Sequence, residues 1–342
     1  SLYTLKKDSA DGRFLMWKIT TKAIQKQPIT GTSLGGFPAA YAETQAEYMA
    51  SGKATEQEKL VAGCPEYAFN EYLQIGLEQG LVGLALFIGL LGLLFYKGIK
   101  NKRYACCGGL MSLAIFAFSS YPLQLPEFWV VLIFLGVMSV TPDKDEIREN
   151  QAESNGHRWG KQIFFMGIAI LGIGLFWMQK DHYKAYQQWN KAQMFYNNKA
   201  YEAALEVYEP LYPLLKHKPE FLFEAAQSLS KTGQYEKANE YLERAVLLSS
   251  DPMLYYVMAK NEQCLGEYRQ AEKHLLHAID ILPERIYPYY LLMNLYTEPS
   301  YFQPAKLKMA IDSVLTKKPK VESSAIKEMK EKARSMLNNT SI

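Results

Sequence analysis

Residues 79–96, QGLVGLALFIGLLGLLFY, carry no charged side chain and are bounded by Glu78 and Lys97. A helix that spans a bilayer needs about 20 mostly apolar residues. A charge held at mid-membrane is expensive. The run therefore reads as chain entering lipid directly after Glu78. The stretch before it, GCPEYAFNEYLQIGLE, is polar and aromatic, with carboxylates at Glu66, Glu71 and Glu78. This pairing puts everything upstream on one side of a membrane, with the polar half at its surface.

Three more apolar runs follow, at 104–126, 128–142 and 162–179. Together they predict four membrane helices, at about 79–97, 104–121, 127–142 and 162–179, within a segment 79–179. The prolines of SYPLQLP, Pro122 and Pro126, suit a tight hairpin between the second and third. Lys97, Lys100, Lys102 and Arg103 fill one inter-helix loop, and Lys144, Arg148, Arg158 and Lys161 fill another. By the excess of Lys and Arg in cytoplasmic loops, those two loops face the cytoplasm. Residues 1–78 and everything after about 180 then lie outside it, in the periplasm of a double-membrane bacterium.

The formal net charge of +3 is too close to balance for a nucleic-acid partner. Mean hydropathy of −0.18 averages over polar flanks and the apolar 79–179. Cys64, Cys106, Cys107 and Cys264 form neither a disulfide framework nor a metal spacing, so no metal and no cofactor is expected. The chain opens SLYTLKK, without an initiator methionine or signal peptide. It reads as the C-terminal part of a longer protein with further spans upstream.

Within residues 1–62, a helix is expected to start at Ser9 or Asp11 and to stop at Pro28. Arg13 and Trp17 share one face of it, and Lys18, Lys22 and Lys26 form a second row at the same spacing. A loop punctuated by Gly31, Gly35 and Gly36 follows. One or two polar helices with a turn near Gly52 complete the region.

After residue 182 the pattern changes to a repeat. NKAYEAALEVY, TGQYEKANEYL, LGEYRQAEKHL and PSYFQPAKLKM align on Ala204, Ala238, Ala271 and Ala305, spaced 33 or 34 residues apart. Tyr201, Tyr235, Tyr268 and Phe302 stand three residues before each. Gly233 and Gly266 mark inter-helix turns, and Ala245 and Ala278 mark a second small position. This resembles the tetratricopeptide repeat, most closely in the middle two copies. The resemblance implies a stack of helix pairs over 182–340, closed by a helix from about 320, and a protein partner for it. The expected fold is all-α: polytopic transmembrane helices followed by a tetratricopeptide solenoid.

The first 140 residues resemble a second family. GRFLMWK (Gly12, Arg13, Trp17), then Pro28, Gly31, Gly36, Phe37, Tyr41 and Gln45, then Asn70, Leu73, Glu78 and Gly80, then Tyr121 and Pro122, are similar in order and spacing to the C-terminal part of the O-antigen ligase and polymerase superfamily. The resemblance implies a membrane glycosyltransferase. It would take a glycan from a polyprenyl diphosphate carrier to a hydroxyl acceptor, outside the cytoplasm and without a metal.

Such chemistry needs a cation for the diphosphate, and a guanidinium fork fits phosphate oxygens best. Arg13 is that candidate, with Trp17, Lys18 and Lys22 as further substrate-binding residues. A group must also orient or deprotonate the acceptor hydroxyl. Many family members have His before the Asn, where this chain has Phe69. Asn70 and Glu71, with Glu66 as a substitute base, are the remaining catalytic candidates. For Asn70 and Glu71 the competing role is helix capping. The competing function is a membrane-anchored repeat scaffold in the cell envelope, without catalysis.

Overall fold

The computed structural model describes residues 2–141, 157–319 and 321–339; among these the regular structure is helical, without strands. They fall into two compact units. One gathers residues 1–26, 34–66 and 189–342, the other residues 27–33 and 67–188.

The first unit opens with α1 (Leu2–Lys26), α2 (Phe37–Ala50) and α3 (Glu56–Val61). α1 starts at Leu2, ahead of the expected Ser9 or Asp11, because nothing in LYTLKK interrupts a helix; it stops just before Pro28. Leu15, Ile19 and Ala23, four apart, form its buried stripe. The turn expected near Gly52 is present, with φ +71° at that glycine. α3 begins in a capping box, Thr55 accepting from the Glu58 N–H while the Glu58 carboxylate accepts from the Thr55 N–H.

The repeat half continues from the last turns of α8 (His157–Asn197) into helix pairs. These are α9 (Tyr201–Leu215) with α10 (Pro219–Lys231), α11 (Tyr235–Val246) with α12 (Met253–Cys264), and α13 (Tyr268–Ile281) with α14 (Ile286–Leu295). Then come α15 (Pro304–Thr316) and α16 (Ser324–Asn339), the latter in the place of the expected closing helix. Each helix packs on the next, as the period predicts. Ala204, Ala238, Ala245, Ala271 and Ala278 are all fully buried, because only a small side chain lets two helix backbones approach at these points. Gly233 and Gly266 both turn with φ +80°, a conformation glycine adopts without strain. The fourth copy departs from the pattern. A short 3-10 turn at Pro299–Tyr301 and a helix start at Pro304 leave Ala305 exposed, and Leu307 and Ala310 are buried instead.

Residues 1–26 and 34–66 share one compact unit with the repeats. α2 packs on α1 and on α13, so its residues are buried on both sides, among them Phe37, Tyr41, Ala42, Gln45, Ala46 and Met49. Gln45, fully buried, is the polar centre of this docking. Its amide nitrogen donates to the Gly63 carbonyl at 3.1 Å and to the Ile281 carbonyl at 2.8 Å. Its amide oxygen accepts the Tyr41 hydroxyl at 2.7 Å. Ser250 Oγ donates to the Pro65 carbonyl at 3.1 Å, and His277 Nε2 lies 3.4 Å from the Glu43 carboxylate.

The second unit holds α4 (Glu71–Glu78), α5 (Gly80–Lys100), α6 (Tyr104–Ser119) and α7 (Pro126–Val140), with a 3-10 turn at Pro122–Gln124 where the proline hairpin was expected. α5 has the length and composition to cross a bilayer, with mean hydropathy 2.0, and almost none of it is buried. α6 and α7, at 16 and 15 residues, are apolar but shorter than a full span. Of the four expected spans, one is a helix both long and apolar enough to cross a bilayer among the described residues, and it is followed by two shorter apolar helices. The run 162–179 lies within α8, many of whose side chains fall outside the described residues, as do Lys144 and Arg148 of the second basic loop.

α5 to α7 share a core of Leu110, Leu113, Leu123 and Leu132 with Leu84, Leu91, Phe95 and Leu135 around it. Small residues bring the helices close: a Cβ on Gly98 would stand 2.6 Å from Cys107 Sγ, and one on Gly109 would meet Leu135 at 3.0 Å. The loop 27–33 is pinned to the α4–α5 junction. Thr32 and Ser33 N–H donate to the Leu77 and Glu78 carbonyls at 2.9 Å, and Leu81 N–H donates to the Pro28 carbonyl at 2.8 Å. The contact is a mutual one between glycines. Gly31 has φ +68° and Gly80 φ +69°, and a Cβ on Gly80 would fall 2.0 Å from the Ile29 carbonyl oxygen.

Two substitutions test these contacts. Gly80→Ala should lower the unfolding free energy by at least about 2 kcal/mol, since left-handed backbone and steric overlap both penalise it; thermal unfolding in detergent reads this. Gln45→Leu should cost about 2–4 kcal/mol by leaving buried carbonyls unpaired. Its amides in α2 and α13 should exchange hydrogen faster than those of α11.

Candidate functional site

The residues singled out from the sequence belong to both units. Arg13, Trp17, Lys18 and Lys22 lie on α1 in the first; Asn70 and Glu71 start α4 in the second.

On α1, Arg13, Phe14, Lys18 and Lys22 are exposed and Trp17 is half-buried, its ring meeting Phe14 edge-on at 6.1 Å. The lysines of this row, though exposed, contact neighbouring helices. Lys18 Nζ donates to the Glu58 carboxylate and to the Tyr48 hydroxyl, both at 2.6 Å. Lys22 Nζ sits 5.5 Å from the centre of the Tyr48 ring, and Lys26 pairs with Glu47 at 2.7 Å. The bond to Glu58 raises the Lys18 pKa. Burial works against ionisation of Glu58, but bonds from Lys18, the Thr55 N–H and Tyr48 outweigh it and draw that carboxyl down to about 2. Lys18 thus tethers α1 to α2 and α3, and a second anion at its ammonium would compete with Glu58. Trp17 immediately precedes Lys18, and Arg13 stands one turn before Trp17.

At the start of α4, Asn70 is the N-cap, its side-chain oxygen accepting from the Leu73 N–H at 3.0 Å. Glu71 is 1% exposed. One carboxylate oxygen accepts from the Leu123 N–H at 2.7 Å and the other from Gln124 Nε2 at 3.4 Å. Burial raises the Glu71 pKa, the two bonds oppose the rise, and the nearby Glu78 adds to it. Gln74 bridges the Ala68 N–H and the Glu78 carboxylate, each at 2.8 Å. Both oxygens of Glu71 are therefore engaged in tying the 122–125 turn to α4.

Three aromatic rings, from Tyr67, Phe69 and Tyr121, cluster just before α4 and at the 121–125 turn. Tyr67 stacks on Tyr121 at 5.3 Å, and Phe69 meets the same ring edge-on at 4.9 Å. Phe69 has φ +50°, unusual for a side chain of its size. At the position before Asn70 the chain thus has an aromatic ring packed on an aromatic ring, not a titratable group. The spacing Tyr-x-Phe-Asn ahead of the polar turn was the available signal. Glu66, the substitute base, is exposed in the first unit at the rim of a cavity of about 640 Å³. Among the described residues no cluster of His, Cys, Asp and Glu could hold a metal ion.

The O-antigen ligase family model matches residues 3–88, from α1 into α5, and the model of anaphase-promoting complex (cyclosome) subunit 3 matches residues 197–278. No curated protein matches the chain. Among solved structures, a MamA protein is 17% identical over 45% of this chain and 88% of its own, with TM-score 0.37. MamA of Desulfovibrio magneticus RS-1 is 17% identical over 43% of this chain and 76% of its own, with TM-score 0.35. The Yersinia enterocolitica type III secretion chaperone SycD, in complex with a peptide of the translocator YopD, is 16% identical over 44% and 93%, with TM-score 0.28.

The raised Glu71 carboxyl has a signed consequence. The folded state holds the Glu71 proton more tightly than the unfolded chain, whose value is near 4.5. Stability from this group is full below that pH and is lost as pH rises toward the folded value. Glu71→Gln should therefore gain stability relative to the parent as pH rises above about 4.5, and not below. Glu71→Ala should lose about 1–3 kcal/mol at all these pH values, because the Leu123 N–H is left unpaired. Paired thermal melts across pH distinguish the two.

Proposed function

We propose that the chain is the C-terminal part of a membrane glycosyltransferase of the O-antigen ligase type. It moves a glycan from a polyprenyl diphosphate carrier to a hydroxyl acceptor in envelope polysaccharide or glycoconjugate assembly. The observation that carries this reading is the O-antigen ligase match over residues 3–88, which ends inside α5, the described helix both long and apolar enough to cross a bilayer. The apolar faces of α6 and α7, with Ile115, Val130 and Phe134 all more than half exposed, support a multi-pass inner-membrane location. Exposed apolar surface of that kind suits lipid rather than water. The basic α5–α6 turn faces the cytoplasm by the same logic, leaving α1–α3 and the repeats in the periplasm.

In this reading Arg13 holds the diphosphate leaving group, its fork matching two phosphate oxygens. Trp17 beside it supplies an apolar and stacking surface for the donor. Lys18 and Lys22 hold α1 in place and add positive field. Asn70 and Glu71 act as positioning residues for the 121–125 turn, because every oxygen of Glu71 is already bonded within the protein. The acceptor hydroxyl then reacts without a buried base of its own, its proton passing to the departing phosphate or to solvent. The repeats serve the same segment in cis, since α13 receives α2.

The rival is a membrane-anchored scaffold without catalysis, supported by the match of residues 197–278 to a subunit of a multiprotein complex.

Glycan transfer by the full-length protein in cells lacking the native gene separates the readings. Arg13→Ala should reduce transfer by roughly 100-fold, the scale of one lost charge-stabilising contact. Arg13→Lys should retain part of it and Glu71→Gln most of it. Undiminished transfer in Arg13→Ala removes Arg13 from the site, and no transfer by the parent protein favours the scaffold.

A further inference from the structure

The cavity of about 640 Å³ in the first unit is built from two parts of the chain. The strap between α3 and the end of the unit gives Cys64 and Glu66. The repeats give the starts of three successive second helices: Pro219, Glu220 and Phe223 of α10, Ser249 to Leu254 and Tyr256 at α12, and Leu282, Arg285 and Tyr287 at α14. The strap stays in place through Ser250 Oγ to the Pro65 carbonyl and Gln45 Nε2 to the Gly63 carbonyl. The volume falls in the range of small-ligand sites.

Its charge is close to balanced. Glu66, Glu220 and Asp251 contribute three carboxylates, and Arg285 contributes one guanidinium. Each helix start carries about half a positive charge, so three of them together with Arg285 nearly cancel the carboxylates. A phosphate or polyanion gains nothing here, and neither does a strongly basic ligand. Hydrogen-bonding capacity is nonetheless high, with acceptors at three carboxylates and donors at Arg285. Neither Arg285 nor Glu66 forms an ion pair with a described side chain, and both are exposed. Aromatic faces complete the lining. Tyr287 meets Tyr256 edge-on at 5.2 Å and is fixed by Lys260 Nζ on its hydroxyl at 2.5 Å, and Phe223 also lines the cavity.

We infer that this composite cavity binds a neutral oligosaccharide, its hydroxyls bonded by Glu66, Glu220, Asp251 and Arg285 and its C–H faces laid on Tyr287 and Phe223. The choice of a saccharide over a neutral peptide rests on the glycosyltransferase reading above. Because the strap belongs to the ligase-like segment and the aromatics to the repeats, a bound glycan ties the two together and acts as a selectivity subsite for the sugar being transferred or accepted.

The test is direct binding to the full-length protein in detergent. A panel of neutral trisaccharides of hexose, N-acetylhexosamine and deoxyhexose is read by saturation-transfer NMR and titration, with a uronate-containing trisaccharide and a lysine-rich peptide as the other arms. At least one neutral trisaccharide should bind. Arg285→Ala and Glu66→Ala, both at exposed side chains, should each weaken it at least tenfold, while Glu206→Ala on the outside of α9 leaves it unchanged. Glycan transfer is measured on the same preparations. Binding of no trisaccharide, binding indifferent to both substitutions, or tighter binding of the uronate or the peptide overturns the inference. Transfer that persists without trisaccharide binding counts against this subsite alone. Trisaccharide binding that persists without transfer supports the subsite and counts against the glycosyltransferase reading.

Discussion

The first unit depends on the docking of α2 against α13, and that docking depends on one buried amide. Gln45 offers two donors and an acceptor in a fixed plane, and all are used: two backbone carbonyls far apart in sequence and one tyrosine hydroxyl. A buried backbone carbonyl without a partner is costly. The end of α13 and the strap after α3 therefore each need Gln45, and neither can move away without leaving a polar group unmet. α1 is fastened to the outside of this arrangement by Ile19 and Ala23 beneath and by Lys18 on Glu58 and Tyr48 at the edge. The position of Arg13 is thus set by the repeats through α2, though it makes no part of them.

The second unit solves a different problem. The first N–H groups of an apolar helix such as α5, and the carbonyls just before it, need partners of their own. Here the backbone of 28–33 does this at the α4–α5 junction, and glycines at 31 and 80 permit an approach that any side chain would block. Asn70 caps the helix before it, and Glu71 ties down the proline turn between α6 and α7. Polar residues that look catalytic on paper are consumed in closing the polar accounts of the backbone.

Much of the architecture could be read from the sequence because it rests on local periodicity. The alanine and tyrosine spacing gave the helix pairs, and the prolines of SYPLQLP gave the hairpin. The apolar run after Glu78 gave α5. The fourth repeat was less legible, since Pro299 and Pro304 move the helix start and put Ala305 outside. The site was legible only in part. Asn70 as a cap follows from its place before a helix, whereas the partners of Glu71 lie 52 and 53 residues away, and no spacing rule reaches that far. Lys18 looked like part of a free basic row because Glu58 sits 40 residues on, across a turn that only folding closes. The docking of α2 on α13, with Gln45 and Ile281 separated by 236 residues, left no periodic trace at all.

The make-up of the first unit also bears on how this protein can be taken apart for study. Its pieces come from three stretches of chain, 1–26, 34–66 and 189–342, with the apolar helices inserted between the second and third. A water-soluble fragment begun at the first repeat would carry a bare α13 flank where α2 belongs, with the Ile281 carbonyl stripped of its donor. Such a truncation invites aggregation through that flank. Joining residue 66 to residue 189 by a flexible linker keeps all three stretches of that unit together and leaves out the apolar helices.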